Sequence, residues 1–128
     1  MKLKKVGLAF CIGLREEASY VNEYLSKFTE VESVCCKICS LPKSELGLEQ
    51  IKSGIEAMCN PLVQAKILNE AGCEVNFTLG LCVGHDMLFN KATKVPTSCI
   101  ITKDRLLGHN PAAAVNNRYW RNKLGIAK

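Results

Sequence analysis

The hydrophobic positions of the chain form short apolar runs that alternate with segments of helical spacing. The runs predict four strands, at residues 5–10, 31–34, 75–82 and 97–102. Apolar residues that recur every three or four positions predict helices at residues 15–28, over most of 45–72, from residue 87, and from 111 to about 123. Strands that alternate with helices are typical of a parallel sheet with right-handed crossovers.

This alternation predicts one α/β domain that spans residues 1–128. We expect a Rossmann-like three-layer sandwich with a four-stranded, mostly parallel sheet in the strand order 2-1-3-4. A chain of 128 residues is large enough for one hydrophobic core and too small for two. In that order the ligand crevice lies at the carboxyl ends of strands one and three, where the chain changes direction across the sheet.

The long helical segment at 45–72 is interrupted by Cys59, Asn60 and Pro61. Asn60 is a good N-cap and Pro61 suits the first helical position, so the interruption predicts the start of a second helix. Cys59 then lies just before free backbone N–H groups, which favour negative charge and lower a thiol's pKa. His109 precedes a second Asn-Pro pair in the same way, although it follows a loop that we expect to be exposed.

Composition narrows the class of protein. Hydrophobic residues make up 48% and charged residues 23%, and no apolar run approaches the roughly 20 residues that span a bilayer. The basic N-terminus leads into charged residues rather than an apolar export signal, so we expect a cytoplasmic protein. The net charge of +5 is small and scattered, so neither nucleic acid nor a membrane is the expected partner.

The unusual feature is eight cysteines in so short a chain. In a reducing compartment, cysteines indicate metal binding, redox chemistry or catalysis rather than disulfides. In the predicted sheet, Cys11, Cys35, Cys36 and Cys82 follow three strands, and Cys59 opens a helix near the same edge. We predict a metal site of Cys11, Cys36, Cys59 and Cys82, with Cys35 as the alternate to Cys36, because adjacent residues of an extended backbone point apart.

Thiolates that converge hold either an iron–sulfur cluster or zinc. One CxxC, at residues 36–39, has no second such pair, which is unlike a zinc ribbon. Ligands scattered one to a loop are acceptable for a cluster in a preformed crevice, so an iron–sulfur cluster is the preferred cofactor and zinc the second. Cys73 and Cys99 lie within or at the start of strands, and we assign both to the core.

The segment 80–86, GLCVGHD, places a thiol between two glycines, and an imidazole and a carboxylate directly after the second glycine. His85 and Asp86 are candidate catalytic groups, and His85 is equally a polar residue at a helix start, with Asp86 as its cap. An alternative function is therefore a metal-free thiol enzyme, with Cys82 or Cys59 as nucleophile and His85 as base. A third is a module that binds a small anion or a partner at this edge. The sequence contains no GxGxxG, GxxxxGK[ST] or GxSxG motif.

Several motifs together resemble an uncharacterised family of predicted metal-binding proteins, a domain of unknown function found largely in anaerobic bacteria and archaea. They are GLAFCIGL at 7–14, SVCCK at 33–37, MCNP at 58–61, GLCVGHD at 80–86, KDR at 103–105 and HNP at 109–111. The resemblance implies a metal ion or cluster as partner but no particular reaction. Members often carry a further cysteine-containing N-terminal segment, which we expect this chain to lack. A small-molecule or sulfide ligand and a homo-oligomer are compatible with this interpretation.

Overall fold

The chain alternates strands and helices in the computed structural model, which describes residues 2–51 and 53–126. The strands are β1 (Lys5–Phe10), β2 (Glu30–Cys35), β3 (Val75–Leu79) and β4 (Thr97–Ile101). The α-helices are α1 (Arg15–Leu25), α2 (Pro61–Glu70), α3 (Val83–Ala92), α4 (Ala112–Asn116) and α5 (Arg118–Lys123), with 3-10 turns at Ile12–Leu14 and Lys43–Leu46. None of these helices in the described ranges is long and apolar enough to cross a membrane.

The four strands form one sheet in the order β2-β1-β3-β4, and every neighbouring pair is parallel. The predicted α/β fold and strand order are confirmed. The apolar strand β1 lies in the interior of the sheet, where a strand must be apolar on both faces. Because all four strands run the same way, their carboxyl ends share one edge.

Hydrophobic clusters cover both faces of the sheet. Leu8 packs with Ala18 of α1, whereas its neighbour Ala9 packs with Ala65 of α2 and Phe89 of α3. Successive residues of a strand point to opposite faces, so α1 covers one face, and α2 and α3 cover the other. This arrangement is the expected three-layer sandwich.

The predicted helix over residues 45–58 is wrong. Apart from the 3-10 turn at Lys43–Leu46, residues 47–51 and 53–58 contain no helix. Gly47 and Gly54 have φ of +64° and +90°, which end a right-handed helix. Ile51 and Ile55 are exposed, so the apolar side chains that suggested a helix are not buried against the core. An isolated antiparallel β-bridge between Pro42 and Ala57 joins the two ends of this loop.

Other helix boundaries also differ from the prediction. The second helix does start at Pro61, where the Asn60 side chain accepts a hydrogen bond from the Val63 N–H at 3.1 Å. The last helix is divided at Asn117, whose extended backbone stops α4 and whose side chain caps α5. Helix α3 begins at Val83 rather than at residue 87, so Asp86 lies in its first turn instead of capping it.

Candidate functional site

The carboxyl edge of the sheet places two cysteines immediately beyond neighbouring strands. The N–H of Cys11 donates to the carbonyl of Leu79 at 3.0 Å, and the N–H of Cys36 donates to the carbonyl of Phe10 at 2.8 Å. These bonds continue the parallel ladder by one residue past β1 and β2. The position of both thiols therefore follows from the sheet itself rather than from a mobile loop.

Cys59 reaches the same place from the start of α2. Its thiol lies 3.8 Å from the sulfur of Cys36, and the N–H of Asn60 donates to the Cys36 carbonyl at 2.8 Å. The Cys36 sulfur also accepts a hydrogen bond from the N–H of Ile12 at 3.3 Å and is hydrogen-bonded to the thiol of Cys11. Cys36 thus joins the thiols of three separate segments.

Lys103 connects the fourth cysteine to the group. Its ammonium nitrogen lies 2.8 Å from the sulfur of Cys11 and 3.3 Å from that of Cys82, which precedes α3. We refer to Cys11, Cys36, Cys59 and Cys82 as the thiol cluster. Its members are the four cysteines of the predicted metal set. Cys59 contacts Cys36, and Lys103 contacts Cys11 and Cys82.

Lys103 was not predicted as part of the site. It lies two residues past the end of β4, and the same rule that placed the cysteines at the edge applies to it. A single lysine carries no distinctive spacing, so the available signals were topology and its place in the KDR motif at 103–105. Burial lowers the pKa of Lys103, but the hydrogen bonds to Cys11 and Cys82 outweigh this effect and raise it overall.

The thiols of Cys11 and Cys36 share one proton unequally. The hydrogen bond from Cys36 lowers the pKa of Cys11 to about 4 against the opposing effect of burial, and Lys103 and the Gly13 N–H lower it further. The same hydrogen bond and burial raise the pKa of Cys36 far above its ordinary range. At neutral pH the cluster therefore contains a Cys11 thiolate that is stabilised by the Cys36 thiol and the Lys103 ammonium.

Cys35 lies apart from the thiol cluster. Its sulfur accepts a local hydrogen bond from the N–H of Lys37 at 3.5 Å, while that of its neighbour Cys36 contacts Cys59. The side chain of the half-buried His85 makes no hydrogen bond within the described parts of the chain, and Asp86 donates its N–H to the Cys82 carbonyl at 2.8 Å. The catalytic roles assigned to His85 and Asp86 stay predictions.

His109 belongs to a loop next to the site rather than to the cluster. Its Nδ1 accepts from the N–H of Asp104 at 3.1 Å, and its own N–H donates to the Asp104 carbonyl at 2.7 Å. Asp104 in turn accepts from the N–H groups of Leu106 and Leu107. These bonds order the turn that immediately follows Lys103.

Comparison with known proteins identifies the family. The family model described as "Protein of unknown function (DUF1847)" matches residues 1–100. The chain belongs to this family. It is similar to the uncharacterized protein MJ0455 of Methanocaldococcus jannaschii, with 51% identity over 125 residues, which are 97% of this chain and 65% of that protein. No solved structure matches the chain.

The two cysteines assigned to the core of the DUF1847 chain have different environments. Cys73 is 4% exposed, which confirms its assignment. Cys99 is exposed, so its assignment is wrong. Strand β4 is at the edge of the sheet, and α4 and α5, which follow it, contain no buried residue that would cover it. The Cys99 sulfur lies 3.7 Å from the Thr102 hydroxyl instead.

The thiol cluster of the DUF1847 chain is arranged around an ammonium group. Within residues 2–51 and 53–126, no three His, Cys, Asp or Glu side chains are placed as ligands of one metal ion. Lys103 lies between Cys11 and Cys82 and donates a hydrogen bond to each sulfur. A metal bound by all four sulfurs would need the ammonium to withdraw.

A buried glutamine also supports this edge of the DUF1847 fold. Gln64 of α2 is fully buried, and its Nε2 donates to the carbonyls of Val34 at 2.7 Å and Phe10 at 3.3 Å. Phe10 immediately precedes Cys11, and Val34 lies two residues before Cys36. Gln64 thus joins α2, which carries Cys59 at its start, to the strands that carry Cys11 and Cys36.

Replacing Gln64 by leucine is expected to lower the free energy of unfolding by about 1–3 kcal/mol, because a buried carbonyl loses its donor without access to water. The exposed Gln50 provides the control, and Gln50→Leu should stay within about 0.5 kcal/mol of wild type. Urea denaturation of both variants measures the difference. Equal stability of the two variants would show that the Gln64 hydrogen bonds contribute nothing net.

Proposed function

We propose that the thiol cluster binds a metal centre, an iron–sulfur cluster in the first instance and zinc in the second. The distance of 3.8 Å between the sulfurs of Cys36 and Cys59 carries the proposal. Sulfur ligands bound at about 2.3 Å to one tetrahedral metal are about 3.8 Å apart. The two thiols are therefore spaced as a pair that shares one zinc ion or one iron atom.

The other two thiols support a second pair. Cys11 and Cys82 both contact the Lys103 ammonium, at 2.8 and 3.3 Å, so a single small cation already reaches both sulfurs. Four thiolates around one divalent ion give a centre with a net negative charge. Withdrawal of Lys103 by a short distance would leave its positive charge beside that centre, where it compensates the thiolates.

The donor set suits both metals, since tetrahedral sulfur sites hold zinc or iron–sulfur centres. Each of the four thiols comes from a different segment at the edge of a preformed sheet, which favours a cluster over a compact zinc knuckle. An iron–sulfur centre would supply redox or sulfur-transfer chemistry. Cys35 is not required by this proposal, because its sulfur is bonded locally to Lys37.

A metal-free thiol enzyme is the second candidate, and the Lys103 contacts favour it. A cation beside a thiol stabilises the thiolate, which is the nucleophilic form. Cys82 is half-buried, whereas Cys11 is only 6% exposed, so Cys82 is the more accessible nucleophile. In this proposal Lys103, rather than His85, activates the sulfur.

The decisive experiment is anaerobic purification followed by an absorption spectrum and quantitation of iron, acid-labile sulfide and zinc. We expect iron and sulfide in near-equal amounts or, for the second metal, one zinc per chain. Cys36→Ser and Cys59→Ser should each reduce the bound metal to about a tenth of wild type or less. Cys73→Ser is the matched control, because Cys73 is buried but lies outside the thiol cluster.

Two results would contradict the metal proposal. One is wild-type metal content in both Cys36→Ser and Cys59→Ser, and the other is metal-free wild-type protein under strict anaerobiosis. In the latter case, alkylation of the metal-free protein tests the thiol enzyme. Preferential labelling of Cys82 that is lost in Lys103→Met would support that second candidate.

A further inference from the structure

A pocket of about 200 Å³ opens beside the thiol cluster, between the start of α3 and the end of β4. Leu81, Val83 and Met87 form its apolar wall, and Asp86 and Lys103 line it with opposite charges. Lys103 therefore faces two sites at once, the thiols on one side and this pocket on the other. No part of the metal proposal uses the pocket.

The ammonium of Lys103 has capacity for another partner. A lysine ammonium has three N–H donors. Two are directed at the sulfurs of Cys11 and Cys82, and among the described residues no further acceptor engages the third. A ligand in the pocket that carries a carboxylate would supply the missing acceptor.

In the part of the chain that the structure describes, the carboxylate of Asp86 lacks a hydrogen-bond donor, as the ammonium of Lys103 lacks an acceptor for its third N–H. The Asp86 Oδ1 is covered by protein and accepts no hydrogen bond from the described residues, which is costly for a carboxylate. Asp86 also lines the pocket, so its other oxygen, Oδ2, is the one that a ligand there can reach. A ligand that carries an ammonium group would supply the missing donor.

The two charges of the pocket do not neutralise each other. Within the described ranges, no ion pair joins Asp86 to Lys103 at 4 Å or less, although both line the same cavity. A molecule with both charges on one carbon and an apolar remainder would pair each of them and cover the apolar wall. The volume equals that of six or seven water molecules at about 30 Å³ each, which limits the ligand to a small metabolite.

We propose that this pocket binds a small aliphatic α-amino acid, with its carboxylate on Lys103, its ammonium on Asp86 and its side chain against Leu81 and Met87. Binding to the metal-free chain does not rest on the metal proposal, because the pocket and both of its charged residues are present without a metal. The two proposals can therefore fail separately.

The test uses three redox-inert probes of similar size. L-Norvaline has both charged groups, pentanoate lacks the ammonium, and butylamine lacks the carboxylate. Titration into the reduced full chain, followed by chemical-shift changes in the amide NMR spectrum, should give a Kd of about 1 mM for norvaline, as a ligand of this size can supply. Each single-charge probe should bind about tenfold more weakly or worse.

Variants of the two charged residues complete the test. Lys103→Met and Asp86→Asn should each weaken norvaline binding by about tenfold or more, and Lys103→Arg should retain it. Lys91→Met and Glu23→Gln, at exposed positions outside the pocket, should bind as wild type does. The amide spectrum of each variant shows directly whether it is folded, and Lys103→Arg keeps the test valid if Lys103→Met is not.

Equal binding of pentanoate and norvaline, or norvaline binding unchanged in Asp86→Asn, would overturn the amino-acid assignment. The titration is repeated on metal-loaded and chelator-treated protein. Norvaline binding to a chain that takes up no metal would leave this proposal standing and refute the metal centre. Metal uptake without norvaline binding would refute the amino-acid proposal and leave the metal centre standing.

Discussion

Replacing Gly80 by alanine is expected to lower the free energy of unfolding by about 2–5 kcal/mol. Gly80 has φ of +56°, a left-handed conformation that costs an L-residue about 1–2 kcal/mol. A Cβ there would lie 2.5 and 2.6 Å from the two methyl groups of Leu14, which is 1% exposed. Overpacking of a filled core adds about 1–3 kcal/mol.

The backbone at Gly80 has little freedom to relieve this clash. Its N–H donates to the carbonyl of Ile101 at 2.6 Å, which fixes the turn between β3 and α3 against β4. Leu14 belongs to the 3-10 turn that directly follows Cys11, and Gly80 is two residues before Cys82. A shift that accommodates the new methyl group must therefore move one of these two thiols relative to the other.

Gly84 is a matched control within the same GLCVGHD segment. It lies in α3 without a left-handed φ, and an added Cβ would meet no atom within 4 Å. Gly84→Ala should therefore raise stability by up to about 1 kcal/mol through helix propensity alone. Denaturant unfolding of both variants tests the contrast, and a Gly80→Ala protein as stable as wild type would contradict the packing described at Leu14.

The contrast between these glycines illustrates what the sequence reveals. Segment 80–86 marks a turn at a strand end, but nothing in it distinguishes the glycine that contacts Leu14 from the one in open space. That distinction depends on a residue 66 positions earlier in the chain. Local pattern predicts the turn, and only tertiary packing decides which glycine is required.

The convergence of the four thiols was predictable for a physical reason. Parallel strands bring their carboxyl ends to one edge, so residues that follow different strands meet whatever their separation in sequence. The choice between Cys35 and Cys36 was only partly predictable from the sequence. The alternation of side chains along a strand shows that the two thiols point apart, but it does not show which one faces the helix layer. The contact of Cys36 with Cys59 depends on where α2 begins.

The predicted helix over residues 45–58 and the core assignment of Cys99 were wrong for the same reason. In both cases the sequence pattern does not show which surfaces are covered by another part of the fold. The apolar spacing around Ile51 and Ile55 predicted a helix, yet both residues are exposed. Cys99 was assigned to the core as a strand residue, but it lies on an edge strand that the terminal helices do not bury. In both cases the sequence does not show whether a helix or strand packs over the segment.

Replacing Cys36 by alanine is expected to raise the pKa of Cys11 by several units from about 4. The hydrogen bond from Cys36 is the largest cause of the low value, and alanine cannot donate it. Burial then opposes the remaining effects of Lys103 and the Gly13 N–H, so the pKa of Cys11 should rise from about 4 toward its ordinary value of 9.0. Titration of thiolate ultraviolet absorbance in reduced, metal-free protein measures the change, with Cys11→Ala identifying the signal from Cys11.

The same change alters the dependence of stability on pH. Between about pH 4 and 9 the unfolded chain binds a proton at Cys11 that the folded chain does not, so Cys11 stabilises the fold increasingly as pH rises. This contribution is complete above pH 9 and is lost as pH falls through 4. In Cys36→Ala the folded pKa is higher, so the loss on acidification should begin at higher pH and the total contribution should be smaller.

Cys73→Ala distinguishes this effect from the mere removal of a buried thiol. Burial raises the pKa of Cys73, so at neutral pH this substitution removes a neutral group and should leave the thiolate titration near pH 4 unchanged. Stability of the three proteins, measured by urea unfolding between pH 4 and 8, completes the comparison. If wild type and Cys36→Ala lose stability in parallel across this range, the Cys11 thiolate does not depend on the Cys36 hydrogen bond.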